Sequence, residues 1–147
     1  MGLYRAESYR VEESVGYLIT RLRASIFAAV DREVAVWGVS AAQCSILVYI
    51  AHGRGDRAAD IARDYDYDTG SMTRMVARLA AKRLLRRVRD DSDRRVQRLE
   101  LTAAGRRLAG EVPAVASNVL NQHLRGFTRA EHDQLKGLLQ RMLSNGG

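Results

Sequence analysis

Between Asp68 and Arg83 the chain reads DTGSMTRMVARLAAKR, and two sets of residues interleave within it. Ser71, Arg74 and Arg78 stand at offsets 0, 3 and 7, with Thr69, Gly70 and Thr73 near the same end. On a helix they share one face. Small hydroxyl side chains permit close approach to a groove, and arginines one turn on reach base edges or phosphates. The chemistry on offer is hydrogen bonding and ion pairing to a nucleic acid, with no bond made or broken. Met72, Met75, Val76 and Leu79 repeat at helical spacing on the other face, which must be buried. Asp68 is a good N-cap, because its carboxylate can accept a first-turn N–H and favours the positive helix end. Any surface helix carries serines and arginines, so the residues that follow decide the reading.

Leu84 to Arg89 and Arg95 to Leu101 are short strand candidates with Val88, Val96, Leu99 and Leu101 as their apolar residues. The turn-forming run Asp90-Asp91-Ser92-Asp93-Arg94 joins them into a hairpin with an exposed tip. Arginines 86, 87, 89, 94, 95 and 98 all lie on it, and phosphates or a narrow minor groove would explain so many. From Arg74 to Arg107 there are 12 basic and 4 acidic residues, a net of +8 where the whole chain is +7. The positive excess is therefore confined to this segment. Asp93 and Arg95 read as an ion pair that shapes the tip while Arg94 or Arg95 reaches the minor groove. The same charge would serve a nonspecific or architectural DNA-binding protein, but the ordered hydroxyl face argues for sequence-specific recognition of double-stranded DNA.

These residues resemble the MarR (multiple antibiotic resistance regulator) family of bacterial winged-helix transcription factors. The wing pattern stands as Asp93, Arg95 and then Leu101-Thr102-Ala103-Ala104-Gly105, and the recognition-helix pattern as Asp68, Ser71, Thr73-Arg74 and Arg78. Arg83 stands where the family commonly has the glycine that ends the recognition helix, and Asp66 where it often has another glycine in the turn. The resemblance implies a mainly α fold with a small two- or three-stranded β wing. Residues 41–102 would form the winged helix-turn-helix, and 8–37 and 103–144 would be dimerisation helices. It further implies a homodimeric repressor on a palindromic operator, released by a small aromatic or phenolic effector. Tyr17 and Trp37 either pack in the core or line that effector pocket, and Arg21, Arg23 or His52 would hold a carboxylate.

The elements that position these residues are legible in outline. Ser8 to Trp37 follows three- and four-residue apolar steps, predicting one helix of roughly 28 residues and about 40 Å. So long a helix in so small a protein calls for a second subunit. Gly38 ends it, and Ser40-Ala41-Ala42-Gln43 is a capping box opening a helix to His52 that buries Cys44, Leu47, Val48 and Ile50 or Ala51. Arg57 to Tyr65 is the first helix of the DNA-reading pair. Thr102 caps a helix from Ala103 to about Arg125, kinked at Pro113, and Thr128-Arg129-Ala130-Glu131 opens a last one with Leu135, Leu138, Leu139 and Met142 as its stripe.

At 147 residues the chain is one domain's worth. Its 46% hydrophobic and 6% aromatic content suits a helical protein more than a β-sandwich. A pI near 10.2 favours a polyanion, with nucleic acid ahead of a membrane surface because no long apolar span is present. A lone Cys44 excludes an intrachain disulfide; it is either a buried small hydrophobe or the sensor of a redox-switched repressor. His52, His123 and His132 lack metal-ligand spacing. No phosphate loop, nucleophile elbow or zinc-protease motif is present, so neither a catalytic residue nor a cofactor is expected. The N-terminus has no apolar signal segment, which predicts a cytoplasmic protein.

Overall fold

Hydroxyl and carboxylate caps set where most of the helices begin. Ser14, Ser40, Asp68, Thr102 and Thr128 each accept a hydrogen bond from the backbone N–H three residues on, at 2.8–3.2 Å. At Ser40 and Thr128 the backbone N–H donates in return to the Gln43 or Glu131 side chain, completing a capping box. A computed structural model describes residues 2–147, in which these caps open α1 (Val15–Val34), α2 (Ala41–Ala51), α4 (Thr69–Ala81), α5 (Ala103–His123) and α6 (Arg129–Gly146). The short α3 (Ala58–Tyr65) begins without a side-chain cap. Strands β1 (Leu85–Arg89) and β2 (Gln97–Leu101) pair antiparallel, with Leu85 opposite Leu101 and Arg89 opposite Gln97. The fold is thus mainly α with a two-stranded wing.

The first helix is shorter than its periodicity predicts. Ser14 is extended, with φ −75° and ψ 145°; its Oγ donates to the Val11 carbonyl and accepts from Tyr17 N–H. That cap stops the helix from running back, and Ala6–Ser8 and Val11–Glu13 form single 3-10 turns instead. Tyr4 folds over this corner, its hydroxyl accepting from Val15 N–H at 2.9 Å and its ring edge-on to Tyr9. The 20 residues of α1 span about 30 Å. A 3-10 turn at Ala35–Trp37 and Gly38 at φ 69° then close the element.

One core joins α2, α3, α4, the wing root and the first half of α5, with Val34, Ile46, Leu47, Ile61, Leu79 and Leu85 inaccessible or nearly so. Recognition-helix residues Met72, Val76 and Leu79 are buried as the stripe requires. In α2, Ile46 and Tyr49 lie deeper than Val48 and Ile50, because the helix is covered on nearly all sides. Pro113 sits inside α5 without ending it. No residue of α6 is buried, and among the described residues no single helix is long and apolar enough to cross a membrane.

The recognition helix, wing and α5 meet at Leu84. Its carbonyl accepts from Thr102 N–H at 3.1 Å, while the Thr102 hydroxyl donates to the Arg83 carbonyl at 2.7 Å. Gly105 packs so closely that a Cβ there would lie 1.9 Å from the Leu84 oxygen. This is the physical content of the Leu-Thr-x-x-Gly run. Arg83 and Asp66 both adopt left-handed backbone, at φ 56° and 55°, so the turns normally made by glycine are kept without it. Gly105→Ala is expected to lower stability by more than about 2 kcal/mol in urea denaturation. Arg83→Gly is expected to raise it by about 1 kcal/mol, since Cβ strain in the left-handed region is relieved.

Candidate nucleic-acid interface

The outward face of α4 is organised from its cap. Asp68 accepts from Ser71 N–H at 2.8 Å and from the Ser71 hydroxyl at 2.6 Å, and Arg74 donates to that hydroxyl at 3.2 Å. The Ser71 hydroxyl and backbone bonds hold the Asp68 carboxyl below the usual carboxylate range, so this relay is anionic at its root at neutral pH. Gly70 lies under the Arg74 guanidinium, with 3.3 Å from a notional Cβ to Nη1. Thr69, Thr73, Arg74 and Arg78 are exposed and Ser71 is half-buried, so the hydroxyl-and-arginine face predicted from the sequence is the solvent face of the helix.

On the wing, Asp93 accepts from both Arg95 N–H (3.1 Å) and Arg95 Nε (3.2 Å), and the Arg95 side chain is still 92% exposed. Arg94 is exposed beside it. The six wing arginines divide into two groups. Arg86 pairs with Glu100, its register partner across the ribbon, at 2.8 Å; Arg98 pairs with Asp56 at 2.6 Å; and Arg95 pairs with Asp93. Arg87, Arg89 and Arg94 have no ion-pair partner among the described residues and are exposed. Half of the cations assigned to phosphates from sequence therefore also shape the ribbon.

The five residues predicted for an effector pocket do not converge. Tyr17 and Arg21 share a face of α1, and Arg23, two residues on, points about 200° away from Arg21. His52 is exposed at the end of α2, and Trp37 packs on the core. Arg23 neighbours a cleft through Phe27, its guanidinium 4.5 Å from that ring's centroid. That cleft, about 160 Å³ between α1, α2 and α5, is lined by Phe27, Val30, Ser45, Val48, Tyr65 and Val112 among others. Next to it Tyr67 stacks on Tyr65, and its buried hydroxyl lies beside the Ser45 and Arg23 side chains. Burial pushes that hydroxyl's pKa up and the neighbouring Arg23 charge opposes the rise. The sequence signals Tyr67 only as the residue before an N-cap, where an apolar body is expected.

A capped, solvent-facing helix beside a basic two-stranded ribbon defines a winged helix-turn-helix DNA-binding protein. The MarR family model matches residues 37–96, which run from the end of the first helical segment into the wing. A curated relative, the HTH-type transcriptional regulator BilQ of Clostridioides difficile, is 21% identical over 123 residues, covering 84% of this chain and 83% of its own. Two solved structures share the fold. The MepR–DNA complex of S. aureus has a TM-score of 0.75 at 20% identity, covering 91% of this chain and 97% of its own. CouR of Rhodococcus jostii RHA1, bound to p-coumaroyl-CoA, has a TM-score of 0.74 at 22% identity, covering 92% and 95%. Residues 37–96 thus match the MarR family, and the chain as a whole is similar to transcriptional regulators of the winged helix-turn-helix fold.

Cys44 lines the same cleft but is only 1% exposed. Burial, with a smaller contribution from Asp31, pushes its thiol from 9.0 up to about 11. This is the reverse of the low-pKa, accessible thiolate that a redox sensor needs. Because the folded-state value is the higher one, the stability contributed by the neutral thiol is complete below about pH 9 and is lost as pH rises toward 11. Between those values the wild type is expected to lose stability relative to Cys44→Ala. Paired thermal melts across pH 8–11 would show the gap closing, whereas a constant gap would contradict the raised value.

Proposed function

We propose that this protein is a homodimeric, ligand-responsive repressor that reads a palindromic operator, with Thr69, Ser71, Thr73, Arg74 and Arg78 in the major groove. Asp93, Arg94 and Arg95 form the wing tip at the adjacent minor groove. The observation that carries this reading is the outward α4 face, hydroxyls toward its capped end and arginines one and two turns on, left to solvent by burial of the opposite stripe. Residues 41–102 are the reading unit.

The segments 8–37 and 103–144 join two subunits. In support, Leu18, Leu22, Leu120, Leu138, Met142 and Leu143 are exposed on α1, α5 and α6, an apolar surface too extensive for a lone chain. Two-fold symmetry then places half-sites about 34–36 Å apart. For the effector, the cleft beside Phe27 and Tyr65 suits a planar aromatic group, with Arg23 and the Tyr67 hydroxyl beside it available to a carboxylate or phenol. CouR's aromatic thioester ligand is consistent with that chemistry.

Fluorescence anisotropy on the duplex upstream of the protein's own gene, against a scrambled duplex, tests the reading. A preference of about 10³-fold or more is expected. Arg74→Ala is expected to weaken cognate binding by about tenfold and relax specificity, and Arg95→Ala to reduce the slope of log affinity on log salt by about 1. Equal affinity for both duplexes, unchanged by either substitution, would instead favour the nonspecific alternative. Leu138→Glu with Met142→Glu is expected to give a helical monomer by sedimentation that no longer holds the operator.

A further inference from the structure

The wing is fastened to the body by two consecutive residues in the loop before α3. Asp56 receives two bonds from β2: Leu99 N–H donates to its carbonyl at 2.6 Å, and Arg98 Nε donates to its carboxylate at 2.6 Å. Arg57 lies 3.7 Å from the carboxylate of Asp90, the residue that closes the other strand. Asp90 is itself fixed: its N–H donates to the Val96 carbonyl, and its carboxylate accepts from Ser92 N–H and Oγ. One residue further on α3 begins, and α3 packs on the recognition helix. A two-stranded ribbon alone is marginal in water, and this attachment adds a third backbone partner at its root.

We propose that Asp56 and Arg57 are positioning residues that set the wing's angle against the recognition helix, and that Arg98 serves this attachment and not a phosphate. The inference rests on the wing contacting DNA, as proposed above. Its leverage comes from length. Arg94 lies in the turn at the tip, roughly 10 Å along the ribbon from Leu99, so a tilt of about 10° at the root moves the tip by about 2 Å. That displacement is enough to break a hydrogen bond to a phosphate or a base edge.

The sign of one substitution separates the alternatives. Taking a carboxylate away from a DNA-binding surface ordinarily tightens binding. If Arg98 were a phosphate contact restrained by Asp56, Asp56→Ala would free it, raising both affinity and salt slope. If Asp56 positions the wing, Asp56→Ala weakens operator binding by about three- to fivefold, with the salt slope unchanged. Arg98→Ala likewise leaves the slope unchanged, and the reversed pair, Asp56→Arg with Arg98→Asp, recovers most of the lost affinity. Anisotropy titrations at several salt concentrations, on variants whose melting temperature matches the wild type, give these readouts.

Tighter binding by Asp56→Ala, a slope lowered by about 1 in Arg98→Ala, or no recovery in the reversed pair would overturn the proposal. Arg95→Ala serves as the control in the same titrations. If it weakens binding while Asp56→Ala does not, only the positioning role falls. If Arg95→Ala is also without effect, the wing is not at the DNA and both readings fall together.

Discussion

The Leu84 carbonyl is the point on which the geometry of the winged helix-turn-helix depends. The left-handed turn at Arg83 ends α4 and aims β1, the Thr102 N–H closes on Leu84 from the end of β2, and Gly105 lets the first turn of α5 sit against the same oxygen. Because Leu85 pairs with Leu101 immediately beyond, the register of the ribbon is set by the same bonds. A bulkier residue at Gly105 or a different turn at Arg83 would displace the helix, the wing and α5 together. The long helix and the reading face are thus mechanically one piece, which is what a ligand beside α1, α2 and α5 would need in order to alter DNA binding.

Charge on the wing has two functions that a residue count cannot separate. Exposed ion pairs such as Arg86–Glu100 and Arg95–Asp93 add little stability individually. Their effect is geometric: each fixes a strand pairing or a turn and leaves Arg87, Arg89 and Arg94 presented on a defined frame. On α4 the same division holds, with Asp68 and Ser71 orienting Arg74 while Arg78 is left to solvent. The acidic residues of the segment therefore order its basic ones.

The two ends of the chain follow a different rule. The core accounts for α2, α3, α4 and the wing root, whereas α6 has no fully buried residue and α1 presents Val15, Leu18, Ile19 and Leu22 to solvent. An amphipathic helix without a partner is unstable in isolation, and the proposed dimer supplies that partner.

Local chemistry made most of the architecture readable from sequence. The Ser40 and Thr128 capping boxes, the Asp68 and Thr102 caps, the α4 stripe and the Asp93–Arg95 turn all involve residues within four positions of one another, so spacing alone specifies them. The same locality misled where a local signal was overridden: apolar periodicity ran through Ser8–Glu13, but the cap at Ser14 ended the helix there. It was silent on everything joined across the chain. Asp56 with Arg98 are 42 residues apart, Tyr67 meets Ser45 and Arg23 only when α1 and α2 fold over it, and the cleft formed without Tyr17, Arg21, Trp37 or His52. Those arrangements depend on how helices pack, which residue order along one helix does not encode. The sequence determined α4, the wing and their charge; the tertiary structure decided which cations are held internally, how deeply Cys44 is buried, and where a cleft forms.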